Sequence, residues 1–379
     1  MATRTASSPG TSVPGVPLDL ERFENVHQIA GIQTARLNPG TANATHVALV
    51  NTGSGLRFTV ALDRGGDIID ASFNRYGLTY LTPAGIKPPN HAYHRDNEWL
   101  SGWAGGLLTT GGPQYIGHGR EEQGEQTSLH GRHSGCPATV EMLINPDPHR
   151  GRNEMLLSMV CRDARMFGPV LEVRRTIQCM IGRAEIHLYD QVTNRGNTRC
   201  SHNWLYHVNV GYPLLDRGSQ FIYRGKAEHW QLPNPPARAL SDSALNGLKR
   251  VGGSLAAHVG SGERGVVVEV KPDREGQCHV GLINRRIGLG LELIYPAEQL
   301  PRMANWQHYG PRGCFVSGIE PFSGSLMGIA NDDFAHARQH LDPGQTRRYQ
   351  LTIRVNETRS ALQAFARKDG KIIAKKRPR

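Results

Sequence analysis

Apolar positions recur along this chain with a period of two. The clearest case is AEIHLYDQVTN (184–194). There Ile186, Leu188 and Val192 share one face with Asp190, and Glu185, His187, Tyr189 and Gln191 take the other. Successive side chains of a strand point to opposite faces, so this spacing predicts a strand with one face buried. Strand-like runs of the same kind recur at 46–51, 56–63, 66–73, 138–144, 154–161, 169–180, 265–271, 289–296, 315–321 and 348–355. Turn-forming clusters such as NTGSG, LDRGG, NRGN and LDPGQ punctuate them;. Helical spacing is confined to ETRSALQAFARK near the end and, more weakly, to 241–251. Many strands with so little helix predict an all-β protein, a sandwich of large antiparallel sheets.

Two stretches depart from this pattern. Residues 83–136 and 225–250 read as long irregular excursions, and the first holds His91, His94, His118, His130 and His133. Long loops on a rigid scaffold are where sites tend to be built.

The segment LYHVNVGYPLL (205–215) is the most informative run. His207 and Asn209 lie two apart and so share a face; Tyr206, Val208 and Val210 take the opposite one;. A run this apolar is packed on both sides, so its polar groups either find partners or serve chemistry.

Composition narrows the setting. There is no internal repeat and no central linker in the 379 residues, which predicts one domain over 18–366. Residues 1–17, rich in Ser, Thr, Gly and Pro, are expected to be a disordered tail;. The formal charge of +11 is concentrated at the end, because 367–379 carries seven Lys or Arg against one Asp. The expectation is a solvated basic tail, with no nucleic-acid partner. No apolar run approaches the roughly 18 residues of a membrane span, and the N-terminus lacks the apolar core of a secretory signal. Six cysteines without a CxxC pair fit free thiols in a reducing cytoplasm;.

Four segments concentrate groups able to do chemistry: LHGRHSG with His130, Arg132 and His133; LYHVNVG; MANWQHYG with Asn305, Trp306, Gln307 and His308; and VSGIEPFSG with Glu320. A carboxylate at the end of a buried strand loses solvation, which raises its pKa and suits a general base near neutrality. His207 and Glu320 would make an acid–base pair if they met; 113 positions separate them, and sequence alone leaves that open.

These segments resemble the galactose mutarotase (aldose 1-epimerase) superfamily, most closely an uncharacterised bacterial branch of it. GGLLTT (105–110), LHGR (129–132), LYHVNVGYPLLDRG (205–218), GIEP (318–321) and LDRGGDI (62–68) carry the resemblance, in order, from about 45 to 355. It implies a β-supersandwich with an open sugar-binding cleft. His207 would be the general acid at the ring oxygen and Glu320 the general base at the anomeric hydroxyl, on opposite sides of the ring. His130 and Arg132 would hold sugar hydroxyls. Asn209, Trp306 and Arg64 are further substrate-binding candidates, with Trp99, Trp103 and Trp204 as other rings able to stack on a sugar. Phe322 stands where well-studied mutarotases usually carry Gln, and Val208 where they carry an aromatic residue.

The expected activity is therefore that of a cofactor-independent aldose mutarotase acting on a small sugar. A lyase or epimerase acting on a keto-sugar or uronate with a divalent metal, held by His130, His207 and Glu320, is one alternative. A non-catalytic sugar-binding protein is the other.

Overall fold

The structure, a computed structural model, describes residues 12–13, 16–38, 40–89, 95–119, 121–122, 125–232, 240–324, 326 and 339–375. Every run read above as a strand forms one.

The strands assemble into two large sheets. The twelve-stranded sheet runs, edge to edge, through Ile372–Ala374, Gly225–Leu232, Glu263–Val270, Arg302–Tyr309, Phe315–Phe322, Leu205–Val210, Leu108–Gly111, Asp67–Phe73, Leu56–Ala61, His46–Asn51 and Gly31–Arg36, with Tyr76–Gly77 paired beside Asp67–Phe73. The eight-stranded sheet runs through Ala138–Ile144, Glu154–Ala164, Val170–Met180, Glu185–Asn194, Thr346–Asn356, Leu289–Pro296, Gln277–Asn284 and Gln220–Ile222. Within these two sheets the described strands pair antiparallel, except where Ile372–Ala374 lies parallel to Gly225–Leu232.

One apolar core joins the sheets. Val60, Ile68, Leu108, Tyr206, Val208 and Ile319 from the first sheet pack in one cluster with Leu157, Val173, Ile186, Leu188, Leu293 and Leu351 from the second. The alternation in 184–194 is what puts Ile186, Leu188 and Val192 inside while Tyr189 stays exposed;. Both expected helices are present. Ser241 caps Asp242–Gly247 and Thr358 caps Arg359–Ala366, each hydroxyl accepting the backbone N–H three residues on;.

The structure departs from the sequence reading in three places. The excursion at 83–136 contains Leu108–Gly111, a central strand between Asp67–Phe73 and Leu205–Val210. Four residues beside a pair of glycines are too few to show alternation. The second excursion contains the strand Gly225–Leu232 and the helix Asp242–Gly247. The basic segment is not wholly a solvated tail, because Ile372 is fully buried in the sheet edge. The Lys249 ammonium ties that segment down through the Asp369 carboxylate and, at 2.9 Å, the Gly370 carbonyl. Lys375 pairs with Glu269 at 2.8 Å, and 376–379 lie outside the described residues.

Of residues 1–17, the described part is Ser12–Val13 paired with Val16–Pro17. His91 and His94 also lie outside the described residues. All six cysteines are free, and five are buried. Among the described residues no helix is long and apolar enough to cross a membrane.

Candidate active site

Strand register brings the two distant motifs together. Leu205–Val210 and Phe315–Phe322 are hydrogen-bonded neighbours with Leu205 opposite Phe322 and Val208 opposite Ile319. That register sets His207 directly across from Glu320, on the face turned away from the inter-sheet core. Their side chains meet, His207 Nε2 lying 3.3 Å from Glu320 Oε1, and both are almost fully buried. Gly318, two residues before Glu320, shares this face. A Cβ there would collide with Glu320 Oε1 and press on His207 Cε1 at 3.1 Å. The glycine of GIEP is thus the space into which the carboxyl folds.

Aromatic rings wall the pair. The Trp103 and Trp306 rings stand 5.7 Å and 5.8 Å from the His207 ring, edge-on. Trp99 stacks on Trp103 at 5.5 Å and meets the edge of His130, whose ring is 5.4 Å from His207. Each wall is held in place. Trp103 Nε1–H donates to the Thr109 hydroxyl at 2.9 Å, and Thr109 is the cross-strand partner of His207. Trp306 Nε1–H donates to Glu263 at 2.7 Å. His130 Nδ1 accepts the Gly117 N–H at 3.3 Å, leaving Nε2 to carry the proton when the ring is neutral;.

Burial sets the charge states. It pushes the Glu320 carboxyl well above the usual carboxylate range, with the Glu263 charge adding to the push. It lowers His207 to about 4, with the Asn209 side chain working in the other direction. His130 falls well below its ordinary value through burial and then through His207 and His118. Burial thus disfavours the charged form of both partners, a carboxyl and an imidazole in contact;. Among the described residues His207 Nδ1, Asn209 Oδ1 and Glu320 Oε1 are buried without a hydrogen-bond partner. Unpaired buried polar atoms are costly, and three on one face mark a place built to receive polar groups.

A family model described as "Domain of unknown function (DUF4432)" matches residues 42–355. The chain belongs to the DUF4432 family. No curated protein matches it in sequence. Among solved structures it is similar to a Klebsiella pneumoniae protein provisionally classed as an aldose 1-epimerase, with 18% identity, 94% of each chain covered and a TM-score of 0.78. It is also similar to a galactose mutarotase-like protein from Clostridium acetobutylicum, with 10% identity, 87% and 100% covered and a TM-score of 0.62. Against galactose 1-epimerase from Lactobacillus acidophilus the values are 8%, 86% and 99%, and 0.54. At such identities the likeness establishes the fold, a galactose mutarotase-like β-sandwich, and leaves the reaction to be argued from the site.

In this DUF4432 chain the sequence candidates divide. His207, Glu320, Asn209, His130 and Trp306 come together. Arg132 pairs with Asp163 at 3.5 Å. Arg64 donates to the carbonyls of Gly102, at 2.9 Å, and Lys87, so it braces the loop carrying Trp99 and Trp103. Asn305 and Gln307 hydrogen-bond each other at 2.9 Å in the interior. Trp204 stacks on Tyr349 in the inter-sheet core rather than at the site. His130, His207 and Glu320, the set considered for a metal, are neighbours; among the described residues no three His, Cys, Asp or Glu side chains form a metal-binding group. Sequence reasoning missed Thr109 and Glu263. Thr109 sits in the strand hidden by glycines, and Glu263 opens a strand where a carboxylate is unremarkable.

Proposed function

We propose that this chain is a carbohydrate isomerase, an aldose 1-epimerase that opens and recloses a sugar ring without a cofactor. The observation that carries the reading is the buried contact of His207 with Glu320 at 3.3 Å, beneath tryptophan walls and beside orphaned polar atoms. The ring oxygen and the anomeric hydroxyl hang from the same carbon. An acid and a base that touch can therefore reach both at once, and they need not flank the ring as the sequence reading expected.

Ring opening delivers a proton to the ring oxygen and removes one from the anomeric hydroxyl. With one proton in the pair, one partner gives while the other takes, and the pair's total charge is unchanged. Closure on the other face of the carbonyl gives the other anomer. Opening with Glu320 as acid and His207 as base leaves the proton on His207, and closure returns it to the sugar while Glu320 takes one back. Glu320 as acid with His207 as base, and the reverse, are thus two phases of one cycle. Burial favours the form with the proton on Glu320. Trp103 and Trp306 offer apolar faces to the C–H side of a pyranose. The His130 Nε2–H and the Asn209 carbonyl oxygen supply a donor and an acceptor for hydroxyls.

Anomer exchange, read by saturation-transfer NMR over a panel of aldoses, tests the proposal. The wild-type chain accelerates exchange of at least one sugar. Glu320→Gln and His207→Asn each slow it by about a hundredfold or more while remaining folded. Full activity in both variants would remove the pair from the mechanism.

A further inference from the structure

We infer that Arg175 is the positioning residue of this site: its guanidinium, clasped by Asp190, is the common anchor of the polar segments that present the acid–base pair. Arg175 is buried in the strand Val170–Met180 of the opposite sheet. Its Nε and one terminal nitrogen donate to the two Asp190 oxygens, each at 2.8 Å. Such a fork fixes angle as well as distance, which an ammonium does not.

From that fork, contacts cross the sandwich to four segments. The start of Asp67–Phe73 and the loop leading into it supply the Asp67 carboxyl at 3.5 Å and the Gly66 carbonyl at 3.2 Å. Leu108–Gly111 supplies the Thr110 hydroxyl, which accepts at 2.9 Å, and the Thr110 N–H, which donates to Asp67 at 3.0 Å. Leu205–Val210 supplies the Tyr206 hydroxyl, which donates to Asp190 at 2.6 Å. The fourth tie is indirect. His133 Nε2 meets the Gly65 carbonyl at 3.0 Å, and a carbonyl only accepts, so that nitrogen carries the proton.

Each anchored residue has a near neighbour in sequence at the site. Thr109, which holds Trp103, precedes Thr110; His207 follows Tyr206; His130 lies three before His133; Arg64, which braces the tryptophan loop, lies three before Asp67. The network accounts for the LDRGGD stretch, which the chemistry itself leaves unused. Gly66 has φ +70°, and a Cβ there would strike Met159 Sδ and crowd Arg175 Cδ at 3.3 Å. The loop must close tightly because the guanidinium lies beneath it. An apolar core would fill this space at lower desolvation cost. Fixed geometry is what the ion network supplies in exchange.

The activity arm of this inference rests on the proposed function; the spectroscopic arm does not. Tyr206→Phe and Thr110→Val each remove one tie and keep the Arg175–Asp190 pair and the packing volume. Ile353→Val, in the opposite sheet, serves as a control matched for lost Tm. The readouts are the ¹⁵N imidazole signals of His207 in the full chain and the anomer exchange kinetics. Both network variants are expected to move the His207 signals and lower kcat about tenfold, with KM within about twofold, while the control moves neither. His207 signals that stay with the control in Thr110→Val would overturn the inference, even if Tyr206→Phe shifts them, since Tyr206 is bonded to His207. Wild-type protein inactive on every sugar would sink the proposed function, and the His207 signals would still decide this one.

Discussion

The two faces of the strand Leu205–Val210 are equally buried and treat polar atoms in opposite ways. On the core face the Tyr206 hydroxyl is held at 2.6 Å by Asp190, itself held by both prongs of Arg175. On the site face His207 Nδ1 and Asn209 Oδ1 have no partner among the described residues, and Glu320 Oε1 touches His207 without forming a hydrogen bond. Burial alone does not distinguish architecture from chemistry. On this strand satisfaction does: the core-face hydroxyl is paired and stabilises the fold, and the site-face atoms are left for a ligand to satisfy;.

The sharpest way to break this comparison is to orphan the core face as well. Arg175→Met leaves Asp190 and Asp67 buried without their cation. The expected loss is about 3–5 kcal/mol in chemical denaturation, because an uncompensated buried charge remains. A loss under about 1 kcal/mol would mean that the core network is not the satisfied face described here.

Gly318→Ala tests the site face in isolation. The added methyl takes the space into which the Glu320 carboxyl folds, so the carboxyl must move away from His207. Exchange is expected to slow by about ten- to a hundredfold, the penalty of a small misplacement at a reacting centre. Unchanged kinetics would show that the contact with His207 is incidental.

The smallest effect is on stability and depends on pH. The folded pKa of Glu320 lies above its unfolded value, so its contribution is complete below about 4.5 and is lost as pH rises through the folded pKa;. Glu320→Gln has no such loss. Its Tm relative to wild type should therefore rise toward alkaline pH, by a few degrees. A relative Tm that falls with rising pH would place a stabilised, ionised carboxylate at 320.

Much of this was legible in the chain. Alternation in 184–194 and its sister runs predicts the sheets. It even puts Asp190 on an apolar face, which signals a buried partner without saying which. Arg175 lies in another strand, and only register makes it the cross-strand neighbour of Asp190. His207 and Glu320 were readable as candidates through resemblance and local burial. Their contact depends on register across neighbouring strands from distant parts of the chain, and no local pattern encodes that. Arg64 and Arg132 looked like substrate clamps because guanidinium beside glycine can reach a cleft. The fold spends one on loop carbonyls and the other on Asp163.

The central claim is that one proton, shared by an uncharged buried pair, does the work. The pH profile of the wild-type exchange rate tests it most directly. The account predicts an acid limb near 4, where His207 takes up a second proton, and a plateau through neutrality. An alkaline limb then follows, well above the ordinary carboxylate range, where the pair loses its proton;. A profile that instead rises with an ordinary histidine midpoint near 6.5 and stays flat in alkali would contradict it.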